Sequence, residues 1–218
     1  NGLRQIKRAL ISVFHKDGLD KIIHILQQHH VEIISTGGTK EYIESLGISV
    51  RSVEDMIGYP SILGGRVKTL HPLIFGGILA RREHTGDMEE LGQYQIPEID
   101  LVIVDLYPFE ETVISDSSEE DIIEKIDIGG VSLIRAAAKN FKNVLVVSSR
   151  DQYSPLLEIL ETKNGSTSIE DRRKFAIEAF STTSNYDVAI FNYFGGDFQK
   201  PALARGPGVR EPARHSRG

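Results

Sequence analysis

Two apolar runs limit the possible folds of this chain more than any other feature. Ile99-Asp100-Leu101-Val102-Ile103-Val104-Asp105 and Asn143-Val144-Leu145-Val146-Val147 are rich in β-branched residues and lack polar alternation. A strand with one wet face alternates apolar with polar residues, so runs like these must be covered on both faces. Residues 7–13 and 31–34 read as shorter strands of the same kind. Between them, residues 18–30 place Leu19, Ile22, Ile23 and Leu26 at helical spacing, with Asp17 in position to cap the start. After the second strand, residues 40–46 read as a helix that Gly47 ends. Strand, loop and helix repeated in this way predict an α/β fold: a mostly parallel sheet between two helical layers.

Further helices carry their own start signals. Ser117 with Glu120 three residues on has the capping-box spacing, ahead of Ile122, Ile123 and Ile126. Gly129-Gly130 opens a helix over 131–139 that contains Ala136-Ala137-Ala138. A long last helix starts at Ser168 with Asp171 as capping partner. It presents Phe175, Ala179, Phe180, Thr183, Tyr186 and Ile190 to the core and stops at Gly195-Gly196. Residues 56–82 hold five glycines, two prolines and poor periodicity, and read as an irregular, functional segment.

Composition removes several function classes. The chain of 218 residues has no Cys, which excludes disulfides and thiolate metal sites, and no spacing resembles a metal site. No apolar run approaches the roughly 20 residues of a membrane span, and the first residues lack the apolar core of a signal peptide, so a cytoplasmic protein is expected. Charge is uneven. From residue 200 on there are five basic residues (Lys200, Arg205, Arg210, Arg214, Arg217) against Glu211, so the −6 total divides into +4 for the tail and −10 for the body. One domain over 1–196 is expected, followed by a disordered basic tail over 197–218 that is foreign to it.

Several segments have the chemistry of a site. Ser35-Thr36-Gly37-Gly38-Thr39 follows a strand and opens a helix, so its N–H groups and hydroxyls suit an anion; the same residues also suit an ordinary turn and cap. The segment lacks the spacing of a P-loop or of a dinucleotide fingerprint. In Arg66-Val67-Lys68-Thr69-Leu70-His71-Pro72, an extended backbone would turn Arg66 and Lys68 to one side, suiting a phosphate or an oxyanion; a solvated edge is the alternative. His71 reads as structural. Asp127 precedes a helix start, where an open parallel sheet gathers ligands, and can share a cleft with Thr36. Lys139 lies at the far end of that helix, so it reaches the same ligand only if the ligand is long or another subunit supplies it. Tyr107 closes the strongest strand and either donates a hydrogen bond to a ligand or caps the core.

Together, Ser35-Thr36-Gly37-Gly38-Thr39, Gly65-Arg66-Val67-Lys68-Thr69-Leu70-His71-Pro72, Gly76-Gly77-Ile78-Leu79-Ala80-Arg81, Asp105-Leu106-Tyr107-Pro108-Phe109, Ile126-Asp127-Ile128-Gly129-Gly130 and Arg135-Ala136-Ala137-Ala138-Lys139-Asn140 closely resemble the inosine monophosphate cyclohydrolase domain. That domain is the amino-terminal half of a bifunctional purine-biosynthesis enzyme whose other half is AICAR transformylase. The resemblance covers residues 7–194, and the transformylase half is expected in the full-length family protein. It implies a methylglyoxal-synthase-like fold and dehydrative closure of formamidoimidazole carboxamide ribotide to IMP, with purine ribonucleotides as substrate and product. It implies no cofactor or metal, no nucleic acid or membrane partner, and a homodimer. Ser12, Lys16, Thr36, Gly37, Gly38, Thr39, Arg66 and Thr69 would bind the ribose phosphate and neighbouring groups, with the base against Gly129 and Gly130. Lys68, Tyr107, Asp127 and Lys139 match the catalytic set.

Two departures stand out. Phe14-His15 precedes Lys16 where Ser-Asp is common in the family, and Asp105 stands where Asn is common; the added charge at 105 either alters hydrogen bonding at Tyr107 or faces water. Two other readings share the fold: a nucleotide-effector-binding regulatory module and a methylglyoxal-synthase-like lyase.

Overall fold

A computed structural model describes residues 2–106, 109–115 and 117–196. The basic tail and Tyr107 lie outside the described residues. The main sheet has five parallel strands in the order β4-β3-β2-β5-β6: β2 (Arg8–Ser12), β3 (Glu32–Ser35), β4 (Arg51–Ser52), β5 (Leu101–Val104) and β6 (Leu145–Val147). A separate antiparallel ribbon pairs β1 (Arg4–Gln5) with β7 (Ser166–Thr167).

Consecutive side chains on the sheet point to opposite faces, and both faces are apolar. Ala9, Ile11, Ile33, Leu101, Ile103, Leu145 and Val147 pack with α1 (Leu19–Gln28) and α9 (Tyr153–Thr162). Leu10, Ile34, Val102, Val104 and Val146 pack with α4 (Pro72–Leu79), α8 (Gly129–Lys139) and α10 (Ile169–Gly195). Burying each of these aliphatic side chains contributes about 1.5–3 kcal/mol. That is why the strands read as continuous apolar runs, and the three-layer α/β expectation is borne out. A small third cluster joins Phe109 and Val113 of α6 (Phe109–Ile114) and Ile122 of α7 (Glu119–Glu124) to Ala189, Tyr186, Ile190 and Tyr193 of α10.

Four details differ from the sequence reading. Asp17 does not cap α1: Gly18, at φ 77°, holds the cap position without a side-chain bond, and Asp17 pairs with Arg150 at 3.0 Å. The cap of α7 is Ser118 rather than Ser117, accepting from the Asp121 N–H at 3.1 Å. Phe180 is 41% exposed, with the Arg135 guanidinium 5.9 Å from its ring, and Ile177, Val188, Phe191 and Phe194 are exposed on the same helix. The segment 56–82 is less irregular than expected, because it contains α4, with Pro72 in its first turn and His71 Nδ1 accepting the Leu73 N–H at 3.1 Å. Glycine lowers helix propensity. Gly77 is nonetheless required, since a Cβ there would lie 2.2 Å from the Pro97 carbonyl oxygen. The Ser168–Asp171 capping box of α10 is present as read.

Candidate active site

The chain runs outward from β2 through β3 to β4 and then crosses to the other side of β2 to form β5 and β6. Such a reversal leaves a crevice at the carboxyl ends of the two central strands, where the following loops part in opposite directions. A cleft of about 700 Å³ lies there. Its walls come from five segments: 12–16 after β2, 36–39 at the start of α2 (Gly37–Ser45), 64–70 before α4, Val104 and Asp105 after β5, and 123–130 leading into α8.

The segment 36–39 forms one wall. Thr36 is extended and caps α2 from its backbone, its hydroxyl donating to Glu54 Oε1 at 2.5 Å. Gly37 follows with φ 54°, in the left-handed region that favours glycine. The hydroxyl of Thr39 is buried and spans both sides of one residue, accepting the Val13 N–H and donating to the Val13 carbonyl, each at 3.0 Å. Lys16 Nζ donates to the Val13 carbonyl at 2.6 Å and to the Phe14 carbonyl at 3.1 Å. Burial holds the Lys16 pKa below its usual value; Asp105 opposes the shift and Lys68 adds to it.

Asp127 lines the same cleft, over the first turn of α8. Its Oδ1 accepts the Val131 N–H at 3.0 Å. A Cβ at Gly130 would lie 2.8 Å from both carboxylate oxygens, and one at Gly129 would lie 3.3 Å from Thr69 Oγ1. The glycine pair therefore does more than start a helix: it admits Asp127 and Thr69 against the helix end. Burial pushes the Asp127 pKa up; hydrogen bonds from the α8 backbone and the charge of Lys68 pull the other way, and Asp105 adds to the rise. The loop carrying Asp127 is fixed from α10, because the Tyr186 hydroxyl donates to the Lys125 carbonyl at 2.8 Å and accepts the Asp127 N–H at 2.9 Å.

Ser12, Lys16, Thr36, Gly37, Gly38, Thr39, Arg66, Lys68, Thr69, Asp127, Gly129 and Gly130 all line this one cleft. The extended alternation expected for Arg66 and Lys68 is replaced by a tight turn: Arg66 has φ −65° and ψ −26° at the end of a 3-10 turn, Leu63–Gly65. Its guanidinium makes a two-pronged ion pair with Glu124 of α7, through Nε to Oε1 at 3.2 Å and Nη2 to Oε2. Lys139 does not line the cleft; it is exposed at the last position of α8, about 15 Å along the axis from Gly129 at 1.5 Å per residue. Asp105 neither faces away nor stands idle, since its carboxylate accepts the N–H groups of Phe14 and His15. The two departures from the family pattern thus meet in space. Glu124 and Tyr186 carry no motif, and the motif that contains Asp105 does not show its role, because each acts on residues far away in sequence. Among the described residues, no group of three or more His, Asp or Glu could hold a metal, and no helix is long and apolar enough to cross a membrane.

Comparison with known proteins agrees with this architecture. The model for the MGS-like domain matches residues 18–132. The chain belongs to the MGS-like domain family. In this MGS-like chain the match spans strands β3 to β5 and most of the cleft's walls. A second model, described as AICARFT/IMPCHase bienzyme, matches residues 137–211 and so extends past Gly196. The chain is 62% identical over 191 residues to the bifunctional purine biosynthesis protein PurH of Bacteroides thetaiotaomicron, covering 88% of this chain and 38% of that protein. It is 47% identical over 191 residues to PurH of Rhodospirillum rubrum, covering 88% of this chain and 36% of that protein. The chain thus spans little more than a third of these relatives. Among solved structures, ForH superposes with a TM-score of 0.76 at 33% identity, covering 88% of this chain and 98% of that one. The resemblance read from the six motifs is borne out.

Proposed function

We propose that this domain acts in purine nucleotide synthesis by closing formamidoimidazole carboxamide ribotide to IMP. The observation that carries the reading is the cleft itself, whose lining brings together a lysine, a helix start and a half-buried carboxylate. Its size suits one nucleotide. The names of the similar full-length proteins support the pathway.

In this reading the ribotide phosphate lies by Lys16 and the start of α2, with Arg66 joining it once released from Glu124, and the ring lies against 126–130. The carboxamide nitrogen attacks the formyl carbon as Asp127 accepts its proton. A carboxylate raised by burial is a better base than an ordinary one, and such a group contributes roughly 10²–10⁴-fold. The carbonyl electron pair moves to the formyl oxygen, where Lys68 stabilises it and Tyr107 is the expected second donor. That oxygen leaves as water, taking the proton held by Asp127 and the formamido proton, as the ring's C=N bond forms. Lys139 would take part only from a second copy of the chain, in the homodimer this reading expects, and a transformylase half would belong to the full-length protein.

Incubation with the ribotide, followed by ultraviolet absorbance, tests the proposal. IMP formation is expected. Tight IMP binding without turnover would replace it with the regulatory-module reading, and release of methylglyoxal from dihydroxyacetone phosphate would replace it with the lyase.

A further inference from the structure

The turn Phe14–Lys16 is a wall of the cleft that is neither strand nor helix and that carries a cation, Lys16. It is held from two sides. On the α2 side, Thr39 closes both hydrogen bonds to Val13. On the β5 side, Asp105 takes two successive N–H groups: Phe14 N–H on Oδ1, and His15 N–H on Oδ2 at 3.0 Å. Hydrogen bonds with an ionised partner are about twice as strong as neutral ones, so this carboxylate is the turn's firmest tie. Lys16 in turn takes its position from the turn, since Nζ donates to the carbonyls of Val13 and Phe14. An ammonium has three N–H groups, so one remains beyond these two bonds, on a residue that lines the cleft. The site of a Cβ on Gly38 is 3.8 Å from Nζ, which puts the ammonium beside the start of α2.

An acidic side chain lining a cleft for an anion is unfavourable for binding unless it does something else there. We propose that Asp105 is a positioning residue for phosphate recognition: it fixes the Phe14–Lys16 turn and so aims Lys16 at the ligand's phosphate. The inference rests on the nucleotide reading of the cleft. Each Asp105 oxygen already accepts a backbone N–H, and in this reading it is Asp127 that takes the proton. A long flexible lysine loses much of its rotamer freedom when it is ordered. Here the turn has met that cost before the ligand arrives.

Calorimetric titration of IMP and of inosine, which lacks the phosphate, tests the assignment in wild type, Asp105→Ala, Lys16→Met and the double variant. Asp105→Ala is expected to weaken IMP roughly tenfold, the size of one lost charge-assisted contact, while inosine changes far less. The double variant should bind IMP no more weakly than Lys16→Met alone, because Asp105 acts through Lys16. Asp105→Asn, which keeps one acceptor, should fall between wild type and alanine, and in turnover assays KM should rise more than kcat falls. Additive losses in the double variant, or equal losses for IMP and inosine in Asp105→Asn, overturn the assignment. Wild-type protein that binds inosine as tightly as IMP overturns the nucleotide reading beneath it.

Discussion

Gly77 and Gly92 both lie within helices, neither in the left-handed region, yet alanine should act on them in opposite directions. By propensity alone, alanine in a helix is favoured over glycine by roughly 0.5–1 kcal/mol. At Gly92, near the end of α5 (Thr85–Gln93), nothing lies within 4 Å of the added Cβ, so the gain is unopposed. At Gly77 the Cβ would lie 2.2 Å from the Pro97 carbonyl oxygen, and the Ile99 N–H donates to the Gly77 carbonyl at 3.0 Å. The obstacle is backbone leading into β5, so α4 or the strand must move by roughly 1 Å. Overpacking of this kind costs about 2–3 kcal/mol. Net of propensity, Gly77→Ala should lose about 1–2 kcal/mol, a fall in Tm of about 2–8 °C for a chain of this size, whereas Gly92→Ala should raise Tm by about 1–4 °C. Thermal melts followed by circular dichroism measure both. A Gly77→Ala protein as stable as wild type would show that the contact between α4 and the 97–99 segment is not tight, and would refute the argument.

Two further substitutions address the cleft. Asp127→Asn should keep IMP binding and lower turnover by at least about tenfold, and the wild-type rate should fall with acid at a pH above that of an ordinary aspartate. The raised pKa of Asp127 means that its favourable share of stability is complete below its unfolded pKa and lost as pH rises through the folded one. The amide variant should therefore match or exceed wild-type Tm at neutral pH, with the gap closing in acid; a variant markedly less stable at pH 7 contradicts this. Glu124→Gln frees Arg66 from its carboxylate and should tighten IMP severalfold by calorimetry while leaving inosine unaffected; unchanged IMP affinity would mean that Arg66 does not contact the phosphate.

The parts of the fold legible from sequence are those whose signal is local. β5 and β6 are apolar without interruption because helices cover both their faces, and the α10 capping box needs only Ser168 and Asp171. α4 was hidden because Gly76 and Gly77, which erase helical propensity, answer to Ile96 and Pro97 in another segment. The cleft divides in the same way. Gly37, Lys68 and Asp127 sit in local patterns of glycine, cation spacing or helix start that can be read there, and Lys16 comes from the family resemblance. Glu124, Asp105 and Tyr186 matter only through partners between 58 and 91 positions away, which no spacing rule reaches. Lys139 shows the reverse failure, since a motif places it in the set while the length of α8 carries it out of this chain's own cleft.

The strand order also constrains how the chain can reach this state. β2 pairs on one side with β3, close in sequence, and on the other with β5, where Ala9 meets Leu101. The first pairing closes a short loop and the second a long one, and closing long loops slows folding. The cleft has walls on both sides of that second seam, so β2, β3 and α2 can assemble into a half-site with Lys16 and the start of α2 but without Asp127. Lys16 then waits for Asp105 to arrive with β5 before its turn is tied. In refolding, affinity for IMP should therefore appear with the slowest phase, after most of the helical signal has returned.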